Sequence, residues 1–235
     1  MKGVIASRTD AAIHDLTHEI APFDVWGAAW FLRAVLPYWR DAVFVCVVDP
    51  GVGTSRRILA MQHETNVLLA PDNGLLTLWD RHSCLSGQTR VSVLHSVENH
   101  DLFLPDGSTT FHGRDRFAPV AAAIANGTAL DALGPRVDDI VRLPYEEPSY
   151  GADLVKGTIV SIDRFGNAIT DIERARVPFE IRNLRTTYTG EGAFYIVGST
   201  GCIEISMAGA SAADHLHLNR LDRVELCRNE DSSRF

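Results

Sequence analysis

Ala42-Val43-Phe44-Val45-Cys46-Val47-Val48-Asp49-Pro50-Gly51 is the stretch that sets the fold class. Its first seven residues are apolar without interruption and rich in valine, the composition of a strand covered on both faces in a parallel sheet. Asp49, Pro50 and Gly51 end it abruptly, because proline cannot donate to a ladder and glycine supplies a turn. Upstream, Asp24 precedes the apolar run Val25 to Leu36 and Pro37 follows it, a capping residue before a helix and a breaker after it. Downstream, Val67 to Ala70 runs into Pro71-Asp72-Asn73-Gly74 and repeats the pattern of strand and turn, with a short helix expected over Leu75 to Trp79. Phe117 to Asn126 has Pro119 near its start and Gly127 just past its end, the asymmetry of another helix. Alternating strand and helix predicts an α/β domain with a mostly parallel sheet.

Periodicity then breaks. Leu143-Pro144-Tyr145-Glu146-Glu147-Pro148-Ser149-Tyr150-Gly151 combines two prolines, a glycine and paired acids, which is linker composition. The expected boundaries are an α/β domain over 1–144, a linker over 145–153 and a smaller domain over 154–235. In the last, short strands are predicted at Thr158 to Ile162, Ala168 to Ile172, Ala193 to Val197, Cys202 to Met207 and Val224 to Leu226. That pattern predicts a carboxyl-terminal all-β, barrel-like domain.

The 235 residues are 46% hydrophobic and 22% charged, ordinary globular values that exclude disordered and collagen-like chains. Twenty-two basic against thirty acidic residues leave a net charge of -8, so no attraction for a nucleic-acid backbone is expected. The apolar runs fall far short of the ~20 residues of a membrane span, and no signal-peptide core follows Met1. A cytoplasmic protein without membrane or nucleic-acid partners is expected. Cys46, Cys84, Cys202 and Cys227 form no C-x-x-C, and His215-Leu216-His217 has no third ligand nearby, so no metal is predicted.

Three segments are candidates for chemistry. Asp49 to Arg57 lies beyond the carboxyl end of the buried strand, where α/β sheets open their ligand crevices. Its glycines match neither nucleotide fingerprint, and a tight turn with solvated arginines is the competing explanation. Phe111-His112-Gly113-Arg114-Asp115 stands just before a helix, which explains Asp115 as a cap but leaves His112 as either a loop histidine or a functional one. In Asp163-Arg164-Phe165-Gly166-Asn167 an aromatic beside an amide suits a purine, while a plain hairpin accounts for the same residues.

Taken in order, Asp15-Leu16-Thr17-His18-Glu19-Ile20, Val48 to Thr54, Pro71 to Leu76, Phe111 to Asp115, Asp163 to Asn167 and Glu204-Ile205 resemble one family across nearly the whole chain. It is the S-adenosylmethionine (SAM) hydroxide adenosyltransferases, adenosine-forming SAM hydrolases related to the SAM-dependent fluorinases and chlorinases. The resemblance implies attack of water or hydroxide on the ribose C5′ of SAM, with methionine leaving, no metal and no cofactor besides the substrate. It maps a water-activating Asp, Arg and His set onto Asp49, Arg56 and His112. The sulfonium is already a good leaving group, so the enzyme has mainly to deliver an oriented, partly deprotonated water; Arg56 would stabilise the hydroxide while Asp49 and His112 orient it and accept its proton.

The same resemblance implies that Asn167 hydrogen-bonds adenine, Phe165 packs on the nucleoside, Asp163 and Ser199 hold the ammonium and carboxylate ends of the methionine, and Trp26 lines the pocket. It implies a homotrimer, with each site shared between the amino domain of one subunit and the carboxyl domain of its neighbour. The family's opening Thr-Thr-Asp-Phe-Gly strand, whose aspartate binds the ribose, has no counterpart after Met1. A non-catalytic SAM- or adenosine-binding module therefore stays open as an alternative, and a SAM-dependent halogenase as a lesser one.

Overall fold

Leu68, Leu69 and Ala70 are completely buried, and the strand that carries them holds the first sheet together. The computed structural model describes residues 1–79 and 93–228; Cys84 lies outside them. The chain divides into two compact units, Met1–Pro144 and Tyr145–Phe235.

Unit 1 contains α1 (Lys2–Ala6), α2 (Val25–Val35), β1 (Val43–Val45), β2 (Ile58–His63), β3 (Asn66–Pro71), β4 (Val93–Ser96), α3 (Ala118–Ala125) and β5 (Arg136–Val137). Its strands lie in the order β1-β3-β2-β4-β5. Only β1 and β3 run parallel, paired Val43↔Val67 to Val45↔Leu69; β3–β2, β2–β4 and β4–β5 are antiparallel. The expected mostly parallel sheet is thus a mixed, mostly antiparallel one. The cause is local: His63 pairs with Asn66 across a turn at Glu64-Thr65, with Glu64 at φ 54°, and so short a connection can join only antiparallel neighbours.

The apolar run is continuous for the reason anticipated, burial on two faces. Phe44, Leu59, Met61, Leu68 and Ala70 pack with Val25, Ala28, Leu32 and Leu36 on one side. Ile58, Ala60, Val67 and Leu69 pack with Phe117, Val120, Ala121 and Leu133 on the other. Strand alternation sends successive side chains to opposite layers, so each strand feeds both. Asp24 Oδ1 caps α2 by accepting from Gly27 N at 2.9 Å. A Cβ at Gly27 would run into the Asp24 carboxylate and displace the cap. The helix ends at Val35 and continues as a single 3₁₀ turn, Leu36–Tyr38, around Pro37.

Unit 2 contains β6 (Ser149–Tyr150), β7 (Leu154–Ile162), β8 (Ala168–Glu173), β9 (Leu184–Arg185), β10 (Ala193–Val197), β11 (Cys202–Met207), α4 (Ala212–Leu216) and β12 (Arg223–Cys227). The strand order is β12-β7-β8-β11-β10-β9, with β6 paired to β7. This sheet is open. A barrel requires its two edges to pair, and here β12 bonds to β7 while the two-residue β9 bonds to β10. Nor is the unit purely β, since Ala212 of α4 is completely buried in its core beside Ile172 and Ile203. Ser149–Tyr150, within the segment of linker composition, pairs with Lys156 and Val155 of β7. Asp171, wholly buried, accepts from Thr158 N at 2.8 Å and from the Tyr145 hydroxyl at 3.1 Å. Among the described residues no helix is long and apolar enough to cross a membrane.

Leu68 lies in β3 between β1 and β2 with no exposed surface. Leu68→Ala is expected to cost about 2–5 kcal/mol through lost contacts and the cavity left behind, read as a lower urea midpoint of the transition that reports unit 1.

Candidate active site

Beyond Val45 the chain leaves the sheet, and Asp49 to Arg57 forms a loop returning to β2. Arg56 closes the loop on itself. Its Nε donates to Asp49 Oδ1 at 3.0 Å and its Nη2 donates to Asp49 Oδ2, a bidentate fork. The two side chains are 8% and 4% exposed, so this is a buried ion pair and the alternative of solvated arginines does not hold for Arg56. Gly53, at φ 82°, brings the loop against the chain before His112; a Cβ there would meet the Thr109 carbonyl oxygen at 2.8 Å.

His112 is 2% exposed and precedes a π-helical turn, Gly113–Phe117, that leads into α3. Its Nδ1 stands 2.9 Å from Arg56 Nη2. A guanidinium has donors only, so Nδ1 accepts and the ring proton resides on Nε2. Burial, followed by the positive charges of Arg116 and Arg56, lowers the His112 pKa and keeps the ring neutral. The Phe117 ring lies 5.6 Å from the Arg56 guanidinium centre and completes the enclosure.

Asp49, Arg56 and His112 are therefore one hydrogen-bonded set. Two of its polar atoms, Arg56 Nη1 and His112 Nε2, are buried and find no partner among the described residues. Both are donors. Leaving such groups unpaired costs roughly 1–3 kcal/mol each, a cost that a bound acceptor would remove.

Asp115 does not cap α3. Its carboxylate accepts from Arg114 Nε at 2.5 Å and Nη2 at 3.0 Å, and from Ser108 N at 2.7 Å, while its carbonyl takes Leu104 N. It ties down the loop that presents His112; Arg114 holds its carboxyl below the usual carboxylate range. Trp26, 8% exposed, sits in the first turn of α2.

In unit 2 the turn between β7 and β8 is closed by Asp163. Its Oδ1 accepts from Phe165 N at 2.8 Å and Asn167 N at 2.9 Å, and its Oδ2 accepts from Asn167 Nδ2 at 2.9 Å. Asn167 is thereby fixed and 6% exposed, whereas the Phe165 ring is 65% exposed with Arg164 stacked on it. Ser199 is exposed in the turn between β10 and β11. Gly198, next to Ser199, packs its backbone against the Glu204 carboxylate, and Asp163 is near enough to act on that same carboxylate. Glu204, mid-strand and 7% exposed, accepts from the Tyr188 hydroxyl at 3.1 Å, and burial raises its pKa.

No group of three histidine, cysteine or acidic residues able to hold a metal occurs among the described residues. Sequence reasoning assigned no task to Asp72 and Asn73. They bond to both ends of the Asp49 to Arg57 loop, a relation for which their turn-forming composition gave no signal.

The chain matches the model of the SAM hydroxide adenosyltransferase N-terminal domain over residues 1–134 and that of the C-terminal domain over 157–225. It is 36% identical to a protein of Salinispora tropica named (R)-S-adenosyl-L-methionine hydrolase, over 95% of this chain and 90% of that protein. It is 37% identical to one of the same name from Thermus thermophilus, over 93% and 89%. A solved structure of an uncharacterised conserved protein from Thermotoga maritima superposes with a TM-score of 0.84 at 32% identity, covering 97% of this chain and 93% of that one. With both family domains matched in order, the first of them containing the buried Asp49, Arg56 and His112 set, the chain belongs to the SAM hydroxide adenosyltransferase family.

Proposed function

We propose that the protein hydrolyses S-adenosyl-L-methionine to adenosine and L-methionine. The observation that carries this reading is the pair of buried donors without partners, Arg56 Nη1 and His112 Nε2, beside a carboxylate. Together they suit an oxygen nucleophile that gains negative charge as it attacks. A lone pair on that oxygen forms the C5′–O bond, the C5′–S bond breaks with its electron pair passing to sulfur, and neutral methionine leaves. The two N–H groups are pre-oriented toward the developing charge and need no reorganisation when it appears.

The tautomer revises the division of labour. His112 Nδ1 is occupied by Arg56 and Nε2 bears the proton, so in this arrangement His112 donates and does not act as the base. The proton lost by water is assigned to Asp49, whose oxygens each retain a lone pair beyond the bonds to Arg56.

Unit 1 activates water and contributes Trp26 to the pocket, and unit 2 supplies the other substrate contacts. Asn167 with Phe165 takes adenine; Asp163, with one lone pair left after three donors, and Ser199 take the ammonium and carboxylate of the methionine; Trp26 lines the pocket. We propose that SAM is the only small molecule required, that no metal or further cofactor takes part, and that the working assembly is a homotrimer. A cytoplasmic location fits Cys46 and Cys227, which form no disulfide among the described residues.

Purified protein should release adenosine and methionine from SAM at the same rate with and without a chelator. Binding of SAM without turnover, or chloride-dependent formation of a halogenated adenosine, would overturn hydrolysis. Arg56→Ala, His112→Ala and Asp49→Ala should each lower kcat about 100-fold or more with a smaller change in KM, and the double variants should lose little beyond the worse single one. Asn167→Ala should act mainly on KM.

The acid limb of kcat should fall below the ordinary histidine value of about 6.5, because the neutral ring is the working form and its pKa is lowered. The same shift acts on stability: acidification below about 6.5 protonates the unfolded chain first, so this histidine's contribution is lost as the pH falls. A kcat–pH profile that turns down at or above 6.5 would contradict the assignment. Light scattering should give the mass of three chains; a monomer that turns over SAM would exclude the trimer.

A further inference from the structure

We infer that Asn73 is a positioning residue for Asp49 and Arg56, working through the backbone at the start of the loop. The inference rests on the reading of Asp49, Arg56 and His112 as the reacting set. The β1–β3 ladder ends just past the strand, where Cys46 N donates to Leu69 O at 2.9 Å. The next hold is the Asn73 side chain, whose Nδ2 donates to the Val48 carbonyl at 2.9 Å. That carbonyl belongs to the peptide bond joining Val48 to Asp49, so its orientation sets the direction in which the Asp49 side chain leaves the backbone.

The neighbouring residue secures the other end. Asp72 N donates to the Arg57 carbonyl at 3.0 Å, and Asp72 Oδ2 accepts from Arg57 Nε at 2.8 Å and Nη2 at 2.6 Å. Asp72 Oδ1 takes Val141 N at 2.8 Å, so this carboxylate is a fixed anchor and is 7% exposed. Two adjacent residues at the end of β3 thus grip the loop immediately before Asp49 and immediately after Arg56. Between the grips the loop's own backbone bonds are long, Val52 N to Asp49 O at 3.2 Å and Thr54 N to Gly51 O at 3.2 Å. The Asp49–Arg56 fork can meet His112 only if both ends stay in register.

The Asn73 amide does two separable things, since its Oδ1 also accepts Leu75 N at 3.3 Å and shapes the turn after β3. Asn73→Asp keeps that acceptor and the side-chain size but turns an oxygen toward the Val48 carbonyl; Asn73→Ala loses both bonds. Both variants should lower kcat roughly 10- to 100-fold, with KM for SAM within about twofold. In both, the ¹⁵N signals of the His112 imidazole should move from a neutral ring protonated at Nε2 toward a mixture of tautomers, as Arg56 no longer faces Nδ1. That spectrum needs no substrate. If the parent fails to hydrolyse SAM while the imidazole signals still respond, the reaction is misassigned and the positioning stands. If Asn73→Asp matches the parent in kcat and imidazole signals and only Asn73→Ala is impaired, Asn73 merely shapes the turn and the inference falls. Failure of both variants to fold would equally overturn it.

Discussion

The structure around the site depends on one buried charge, the Arg56 guanidinium held between Asp49 and His112. Removing an ion pair from water is costly, and the attraction between partners compensates only when geometry is good and remaining donors are satisfied. Here Nε and Nη2 are satisfied and Nη1 is not. The fold therefore keeps one hydrogen-bonding capacity in reserve inside a closed site. Breaking the pair from either side would leave an isolated buried charge, which explains why so much of unit 1 is arranged to prevent it. β1 delivers Asp49, the close approach at Gly53 presses the loop onto the chain before His112, and Phe117 lays its ring beside the guanidinium.

His112 owes its tautomer to the same charge. A free histidine would titrate near neutrality and exchange tautomers; burial, then the charges of Arg116 and Arg56, favours the neutral ring, and the contact with Arg56 leaves its proton on Nε2. The π-helical turn that follows it is the kind of irregularity found at functional sites, and Asp115 secures that turn to Ser108 and Arg114 instead of capping the helix. In unit 2 the turn from Asp163 to Asn167 follows a comparable logic: a carboxylate that organises its own loop leaves the Asn167 amide fixed in place.

Much of this was legible in the sequence, for identifiable reasons. The cap and the breaker around α2 are local signals, and the helix stands between them at Val25–Val35. Ala193–Val197 and Cys202–Met207 are strands as expected, because a short apolar run between turn residues needs no distant information. The motif blocks named the family across the chain, since each carries side-chain identities as well as spacing.

Sheet direction and edge pairing were not legible. An apolar run buried on both faces looks alike in parallel and antiparallel sheets, and β2, which makes unit 1 mostly antiparallel, begins directly after the arginine pair and was not seen as a strand. Barrel closure depends on whether β9 meets β12, two short strands at opposite edges of the sheet. The amino-acid sequence by itself determined which residue types stand at the site and that segments such as Val25–Val35, Ala193–Val197 and Cys202–Met207 are helix or strand, because these follow from neighbours a few positions apart. Only the tertiary structure decided that Arg56 faces both Asp49 and His112, which nitrogen of His112 carries the proton, and that Asn73 holds the carbonyl before Asp49. Each of these is a hydrogen bond between distant parts of the chain, and its donor and acceptor acquire their roles only when folding excludes water from around them.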